Sequence, residues 1–584
     1  MKKNIIILII IVAGAVLRIA GLNFGLPLLH CRPDENLIIF KALGYFSGDF
    51  NPHFFAYPSL YSYVLYVLYK CYYALGLMLN FWNSNEAFVT AYTYDRSVII
   101  MISRVFACLL GITTIWIVYK IGLLIRDNTT GIIGAACYAF AYLAIREAHF
   151  AVTDTPMTCF VAASVYFCIR TYIDRKLLTY VLAGVFIGIG TGLKYNAIMC
   201  LFPLILARYL ALFNKKYWFR TALQMLYDKS MWASICAVFI TLFLVSPYIY
   251  IDYQNFFRDF LGEVHHLSSG HPFGNLMVNF GPGVIRHSMF SLLYGLGVPL
   301  LCAAVIGIWF LLIRNFRVAL IFLSFPILYF ICIGRGYTVF VRYALPLVPF
   351  ACILGAVFVS GVSGFLSNRF AFNNRKKNAL IIAVALCLLV SSICRAMFFD
   401  YLLMQRDTRL LLLDWLNKQP IAKCKVCQIG ALTLNQVATT KFQPDTDKLK
   451  QLINRLEAAN EPTNTLTYKT IKSALLREGR IDVNEVRYVD QIDNFIDEWN
   501  QIGLPDFIAF YTSPLIYYHR PLTQSLLQTI NDKYVKVYSF VSVEFSVSPE
   551  QYDQQDAFYI PYYGYSGVYR PGPCITVFAR STMR

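Results

Sequence analysis

Long apolar runs separated by short basic clusters dominate the first two thirds of the chain. Each run is about as long as a helix that crosses the roughly 30 Å hydrocarbon core of a bilayer. The pattern therefore predicts a polytopic α-helical membrane protein with about eleven spans. The predicted spans are residues 5–22, 105–124, 131–145, 156–173, 179–193, 197–213, 231–250, 289–313, 318–333, 343–366 and 379–394.

The basic clusters between these runs predict the orientation of the chain. Lys and Arg accumulate in cytoplasmic loops, so each cluster is assigned to the cytoplasm. The N-terminus is then cytoplasmic, its first apolar helix is a retained span, and the protein lies in the inner (plasma) membrane. Two long loops, 23–104 and 251–288, are extracytoplasmic. The clusters are Lys2/Lys3, Lys120/Arg126, Arg170/Arg175/Lys176, Lys215/Lys216/Arg220, Arg314/Arg317 and Arg369/Arg375/Lys376/Lys377.

The segment Pro58–Phe81 is apolar enough to cross the membrane but contains many tyrosines and Lys70. Tyrosine rings favour the membrane interface, where the ring is buried and the hydroxyl stays hydrated. A full span here would also move every later basic loop outside. We therefore predict that this segment lies on the outer surface or forms a re-entrant element.

The composition becomes that of a soluble protein after Arg395. We predict a membrane domain over residues 1–397 and an extracytoplasmic α/β domain over 398–584, in which helical and strand-like segments alternate. The predicted helices are Arg409–Asn417, Asp447–Ala458 and Thr523–Asn531, and the predicted strands are Asp506–Tyr511, Tyr534–Val541 and Cys574–Phe578.

Charge and cysteine content argue against a nucleic-acid partner and against a zinc site at the one close pair of cysteines. The net charge is +18, but the basic residues follow the topology pattern instead of forming a nucleic-acid groove, so no nucleic-acid partner is expected. Most of the 16 cysteines lie in apolar runs, where they act as small hydrophobic residues. Cys424 and Cys427 lack the further ligands that zinc needs, and on a strand they face opposite sides.

Several ionisable residues gather on the predicted outer face. A charged side chain is costly in a membrane, which makes such residues functional candidates. Each also has a structural interpretation, because a carboxylate suits a helix start and an arginine can extend to lipid headgroups. The candidates are Asp34 and Glu35 in the first outer loop, Asp154 in a short turn, Lys194 and Tyr195 at the end of a span, and Arg335, Arg342 and Tyr343 around the entrance of the tenth span.

The second outer loop contains Glu263, His265, His266 and His271. Carboxylate and imidazole groups suit zinc or manganese, so Glu263, His266 and His271 are weak metal candidates. Acceptor binding, or a simple polar loop, is the more common use of such residues. The sequence requires no cofactor and leaves a divalent metal as an open alternative.

The ordered motifs resemble the GT-C glycosyltransferases, in the branch shared by bacterial protein O-mannosyltransferases and lipid A aminoarabinose transferases. Pro33-Asp34-Glu35 and then Asn51–Leu60 follow the first span, and Asp154-Thr155-Pro156, Lys194 and Arg342–Pro346 follow in order. The segments 406–409 and 570–573 are similar to the C-terminal domains of bacterial members. A Trp-Trp-Asp motif and an inserted β-trefoil-like stretch are absent from the sequence, which leaves the acceptor open.

The resemblance implies transfer of a hexose or pentose from a polyprenyl-phosphate donor to an acceptor hydroxyl on a glycan, lipid or protein. It implies inversion in one displacement, with Asp34 as the general base. Lys194, Arg335 and Arg342 would stabilise the departing phosphate, while Glu35 and Asp154 would orient the sugar. The alternative is a transporter or flippase of lipid-linked sugars, which would place its charges near the bilayer midplane.

Overall fold

The computed structural model shows a largely helical protein with one six-stranded sheet. It describes residues 2–28, 31–85, 88, 96–213, 218–273, 276–278, 280–419, 426–430, 442–444, 484–488, 503–515, 524–556 and 558–583. The α-helices are α1 Lys2–Ile19, α2 Pro33–Gly44, α3 Leu60–Met78, α4 Ser97–Ile125, α5 Asn128–Phe140, α6 Tyr142–Ala148, α7 Asp154–Asp174, α8 Leu177–Leu193, α9 Leu201–Leu212, α10 Trp218–Leu226, α11 Lys229–Val245, α12 Tyr248–Ile251, α13 Tyr253–Ser269, α14 Gly283–Arg286, α15 Leu293–Leu296, α16 Val298–Arg314, α17 Phe316–Gly334, α18 Val348–Arg369, α19 Asn374–Met404, α20 Thr408–Asn417 and α21 Gln524–Lys533.

The chain folds into two compact units. The first unit consists of Met1–Ala20, Asn51–Tyr63 and Arg104–Phe399, and the second of Gly21–Phe50, Val64–Ser103 and Asp400–Arg584. The first unit holds most of the apolar helices, whereas the second combines much of the predicted first outer loop with the C-terminal part.

Apolar helices at every predicted span confirm that this is a membrane protein. Six described helices are long and apolar enough to cross a membrane, and up to eight are if each of two bent pairs counts as one span. The bent pairs are α5 with α6, which turn by 57°, and Gly283–Leu296 with α16, which turn by 111°. The predicted spans 5–22, 179–193 and 231–250 match shorter apolar helices, so the number eleven stays a prediction.

Small residues let two of these helices pack closely. An added Cβ at Gly184 would lie 2.2 Å from the Ser234 carbonyl oxygen, and one at Gly188 would lie 2.7 Å from Thr241 Cβ. Glycines spaced by four residues thus bring the backbones of α8 and α11 together, as small residues do between membrane helices. Polar side chains cap the starts of two helices. The side chains of Asp228 and Asn315 accept backbone hydrogen bonds at the beginnings of α11 and α17.

The tyrosine-rich segment Pro58–Phe81 contains one helix, α3. It is not among the described helices that pass as candidate spans by length and composition. Its Lys70 ammonium lies over three aromatic rings, 4.4 Å from the centroid of Phe46 and within 6 Å of Tyr66 and Tyr73. Cation–π contacts of this kind stabilise a charge on an otherwise apolar helix.

The second unit contains the six-stranded sheet, in the order β4-β5-β3-β6-β8-β7. Strands β4, β5, β3 and β6 are parallel, and β8 runs antiparallel to both β6 and β7. Helix α21 packs on the sheet through Leu526 and Ile530, which contact a core that includes Cys427 and Ile508. The strands are β3 Val426–Ile429, β4 Phe442–Pro444, β5 Asn484–Tyr488, β6 Phe507–Thr512, β7 Tyr534–Phe540 and β8 Cys574–Arg580, and a separate hairpin pairs β1 His271–Phe273 with β2 Leu276–Val278.

This sheet confirms the predicted C-terminal α/β structure. The predicted strands correspond to β6, β7 and β8, and two predicted helices correspond to α20 and α21. The third predicted helix, Asp447–Ala458, lies outside the described residues, as does Cys424. Cys427 is a buried core residue of β3.

Candidate active site

A buried carboxylate and two cations form the polar centre of the first unit. Asp154 is the first residue of α7 and is almost fully buried. Its Oδ1 lies 2.6 Å from Lys194 Nζ, and its Oδ2 lies 3.7 Å from Arg342 Nε. Both cationic side chains are also buried. With all three groups ionised, this cluster of Asp154, Lys194 and Arg342 carries one net positive charge.

Breaks between helices place the three charged groups. Lys194 lies in extended backbone between α8 and the 3₁₀ helix Tyr195–Cys200, and Arg342 lies in the 3₁₀ helix Val341–Leu347. Non-helical backbone at membrane depth is tolerated only where protein encloses it or where it lines a cavity, because its polar groups need hydrogen-bond partners. The Thr158 hydroxyl donates to the Asp154 carbonyl oxygen at 2.8 Å and so satisfies part of the first turn of α7.

Aromatic rings surround the two cations. The Lys194 ammonium lies 4.6 Å from the centroid of the Tyr343 ring, and the Arg342 guanidinium lies 4.0 Å from that of Phe340. The Tyr329 hydroxyl donates to the Tyr343 carbonyl oxygen at 3.0 Å, which anchors the segment. Ring faces stabilise a cation without neutralising it.

Tyr195 links the segment Asn51–Leu60 to helix α13. The Tyr195 hydroxyl donates to the Phe55 carbonyl oxygen at 2.9 Å, and its ring contacts Phe256 and Phe260 edge-on. The backbone N–H of Phe55 in turn donates to Asp259 Oδ2 at 2.9 Å. The buried Phe55 side chain packs against α12 and α13.

A second carboxylate holds the same segment. Asn51 Nδ2 donates to Asp252 Oδ2 at 2.9 Å, and this hydrogen bond lowers the pKa of the Asp252 carboxyl below its ordinary value. Asp252 and Asp259 therefore hold the segment 51–57 at two points, the Asn51 side chain and the Phe55 backbone N–H. Neither carboxylate stands out in the sequence, because both lie in a mixed polar loop.

The remaining candidates of this unit lie outside the charged cluster. Arg335 is exposed directly after α17, and the described ion-pair partners of Asp154 are Lys194 and Arg342. His266 lies between the other two metal candidates, with Nε2 3.0 Å from His271 Nδ1 and Nδ1 3.6 Å from Glu263 Oε2. Within the described part of the chain, no group of three or more His, Cys, Asp or Glu side chains could hold a metal ion. A metal stays an expectation from the sequence.

The acidic pair of the second unit lies at the start of α2. Arg32 is the N-cap residue, so Asp34 and Glu35 occupy the first turn, and Asp34 does not cap the helix. Glu35 is buried, whereas Asp34 is partly exposed. The helix dipole favours carboxylates at the N-terminal turn of a helix, which suits an acidic pair at this position.

A buried ion pair on α6, just before the turn that leads to Asp154, was not predicted from the sequence. Arg146 and Glu147, adjacent on α6, are both almost completely buried and form a salt bridge. The Glu147 carbonyl oxygen also accepts a hydrogen bond from the Thr155 hydroxyl at 2.9 Å. The available signal was two opposite charges inside the apolar run 131–151, a costly arrangement unless it is paired.

Part of the chain matches a known protein family. Residues 96–251 match the family model of dolichyl-phosphate-mannose-protein mannosyltransferase. This stretch includes Asp154 and Lys194. No curated protein matches the sequence significantly.

Several solved structures of membrane glycosyltransferases align with this chain. The Archaeoglobus fulgidus oligosaccharyltransferase AglB, in complex with an inhibitory peptide and a dolichol-phosphate, aligns with a TM-score of 0.50 at 11% identity over 99% of this chain and 88% of that one. An Archaeoglobus fulgidus oligosaccharyltransferase tethered with an acceptor peptide aligns at 12% identity with a TM-score of 0.46. The alignment covers 73% of this chain and 62% of that one, so this chain spans less than two thirds of its length.

ArnT from Cupriavidus metallidurans, bound to undecaprenyl phosphate, aligns at 12% identity over 98% of this chain and 97% of that one, with a TM-score of 0.48. The alignment with AglB over nearly the whole chain establishes the fold. The chain is therefore a polytopic membrane protein with the fold of the GT-C glycosyltransferase superfamily.

Proposed function

We propose that this protein is an inverting glycosyltransferase that moves a sugar from a polyprenyl-phosphate donor to an acceptor hydroxyl at the extracytoplasmic face. The observation that carries the proposal is the buried cluster of Asp154, Lys194 and Arg342, with its net positive charge. The match to a mannosyltransferase family over residues 96–251 and the dolichol-phosphate bound by AglB support the same donor class.

The reaction requires a change of charge that this cluster suits. The donor is a phosphodiester with one negative charge, and the leaving polyprenyl phosphate is a monoester that develops a second one. Lys194 and Arg342 would stabilise that growing charge more strongly in the transition state than in the ground state, which is what accelerates a reaction. Both are held in place before the reaction begins, because each already interacts with Asp154.

The role that we propose for Asp154 differs from orienting the sugar. Its two oxygens are directed at two different cations, so its carboxylate is already engaged. Asp154 then acts as the counter-ion that aligns Lys194 and Arg342 and offsets the cost of burying two like charges.

Asp34 is the proposed general base. It would accept the proton of the acceptor hydroxyl while that oxygen attacks the anomeric carbon and the bond from that carbon to the phosphate oxygen breaks. One displacement inverts the anomeric centre, and the proton ends on the carboxylate. Its partial exposure at the first turn of α2 suits exchange of that proton with water.

Replacing Asp34 by Asn tests this assignment. The change is nearly isosteric and removes the capacity to take a proton, so turnover should fall by about 10²–10⁴-fold while donor binding persists. The assay measures release of undecaprenyl phosphate from undecaprenyl-phosphate mannose and undecaprenyl-phosphate aminoarabinose in detergent, with solubilised host membranes as the source of acceptor. Binding of each donor is measured on the same preparation.

The same experiment separates a transferase from a transporter. A flippase would move the intact donor lipid across the bilayer and release no sugar-free polyprenyl phosphate. Wild-type turnover by Asp34→Asn would show that the carboxylate is not the base. Absence of sugar transfer by the unaltered protein from both donors, with transbilayer movement of either, would overturn the proposed function.

A further inference from the structure

The residue directly before the acidic helix is held by a distant part of the second unit. Arg32 Nη1 lies 2.6 Å from Asp556 Oδ1, and the same nitrogen donates to the Asp556 carbonyl oxygen at 3.1 Å. Both side chains are completely buried. A buried pair of opposite charges has few alternative geometries, because neither group can exchange its partner for water.

A second buried arginine contacts the neighbouring residue. Arg409 Nη2 donates to Cys31 Sγ at 3.3 Å. The Arg409 guanidinium is itself fixed by a two-point contact with Asp407, with Nε at 2.9 Å from Oδ1 and Nη2 at 2.8 Å from Oδ2. Its planar face lies over the Tyr559 ring, 5.2 Å from the centroid. The fork geometry of arginine makes such a contact directional.

The two C-terminal motifs, residues 406–409 and 570–573, contact each other and hold Arg409 in place. Thr408 donates through its backbone N–H to the Pro571 carbonyl oxygen at 3.2 Å and through its hydroxyl to that of Pro573 at 2.7 Å. Gly572 has a φ of +100°, and a Cβ there would lie 2.3 Å from Thr408 Oγ1 and 2.7 Å from Asp407 Oδ1. Glycine is therefore needed for residues 570–573 to approach residues 407–409.

An aromatic contact strengthens the same region. The Phe24 and Phe558 rings meet edge-on with centroids 5.8 Å apart. Asp556 and Phe558 thus contact Arg32 and Phe24, while Tyr559 contacts Arg409. Helix α2 begins immediately after, so the backbone at residues 31–32 sets where its first turn starts and in which direction it runs.

We propose that Asp556 and Arg409 are positioning residues for the acidic pair Asp34 and Glu35. They fix the backbone at Cys31 and Arg32 and thereby orient the first turn of α2. The inference rests on the proposed function, in which Asp34 removes the acceptor proton. A displacement of about 1 Å at a reacting group lowers the rate by roughly 10²-fold, so a support of this kind is expected to act on turnover.

The first test is a kinetic comparison of Asp556→Asn with Asp506→Asn. Asp506 pairs with Arg580 at 3.1 Å elsewhere in the same unit and is the matched control. Asp556→Asn should lower kcat at least tenfold, with the KM for the lipid donor changed less than about twofold, because a displaced base slows the chemical step and leaves donor contacts intact. Asp506→Asn should keep both constants near the wild-type values. Melting temperatures of both variants are measured with the kinetics.

Conservative variants separate positioning from folding. The two described contacts of Arg32 with Asp556 come from one nitrogen, so Arg32→Lys should retain most of the kcat that Arg32→Gln loses. Cys31→Ala removes the sulfur acceptor of Arg409, together with the weak hydrogen bond from Sγ to the Gly25 carbonyl oxygen, and it is the variant to use if Asp556→Asn does not fold. A lowered kcat with an unchanged KM is expected for Cys31→Ala.

The outcomes distinguish a failure of the positioning role from a failure of the proposed function. If Asp34→Asn abolishes transfer while Asp556→Asn, Arg32→Gln and Cys31→Ala keep the wild-type kcat, the positioning role is wrong and the transferase stands. If these variants raise KM and leave kcat unchanged, the contacts serve substrate binding and the positioning role is again wrong. If the unaltered protein transfers no sugar, the proposed function fails and the inference falls with it.

Discussion

At the scale of single residues, Arg342 is the most informative side chain of the proposed phosphate site. Arg342→Ala should lower kcat by about 10²–10³-fold, because the developing dianion loses one preorganised partner. Arg342→Lys should recover only part of this loss, since an ammonium cannot offer a planar fork. The measurement is sugar transfer at saturating donor. Arg335→Ala is the matched control because Arg335 is exposed in the same segment, and an equal loss in both variants would contradict the specific role of Arg342.

Asp154 gives a prediction about stability that does not depend on turnover. Asp154→Asn removes the buried carboxylate that Lys194 and Arg342 share, which should lower the free energy of unfolding by about 3–5 kcal/mol. An anion bound between the cations should restore part of that loss, because a ligand that binds the folded state stabilises it. The measurement is the melting temperature with and without undecaprenyl phosphate.

Asp228→Asn is the control for this experiment. Asp228 pairs with Arg208 in the same unit, and asparagine retains the capping oxygen at the start of α11. Undecaprenyl phosphate should raise the melting temperature of Asp154→Asn more than that of Asp228→Asn. Equal shifts in the two variants would place the anion elsewhere.

At the scale of elements, helix α13 supports the segment 51–57 through the carboxylate of Asp259. Asp259→Ala removes the acceptor of the Phe55 N–H, and a hydrogen bond to a charged group contributes about 1.5–3 kcal/mol. If the segment belongs to the active site, kcat/KM should fall by at least roughly tenfold. Arg258→Ala is the control, because its exposed guanidinium contacts the same carboxylate from the other side. Comparable losses in the two variants would contradict the proposed anchoring.

The elements themselves were largely predictable from the sequence. An apolar run of membrane length predicts a helix, because a helix satisfies the backbone hydrogen bonds of a membrane segment within that segment. The break at Ala141 between α5 and α6 was not predicted, since the run 131–145 contains neither proline nor a polar cluster there. Its cause lies in tertiary packing: the Tyr142 N–H donates to the Ser392 hydroxyl at 2.7 Å.

The site was predictable only in part, for a different reason. Composition and resemblance identify Asp154, Lys194 and Arg342 as candidates, but spacing along the chain does not reveal that they meet. The partners Asp252 and Asp259 act through backbone groups of another segment, which no residue pattern encodes. Arg32 and Asp556 are 524 positions apart, so nothing local connects them.

At the scale of the whole molecule, the distribution of Lys and Arg predicts which loops face the cytoplasm. A cysteine introduced at Asn373 should be protected from a membrane-impermeant maleimide in intact cells, whereas cysteines at Ser268 and Ser546 should react. All three positions are exposed in the structure. The unaltered protein, which has cysteines of its own, provides the background signal. Labelling at Asn373 with protection at Ser546 would invert the topology.

The pairing of Arg32 with Asp556 also has a consequence for biosynthesis. Ribosomes add about 5–20 residues per second, so the arginine is made roughly 30–100 seconds before the aspartate that completes its ion pair. A nascent chain can therefore contain all of its apolar helices while the support of the acidic pair is still untranslated. If the proposed positioning role holds, sugar transfer would reach its full rate only after Asp556 has been made, and a product terminated before that residue would consume donor lipid more slowly.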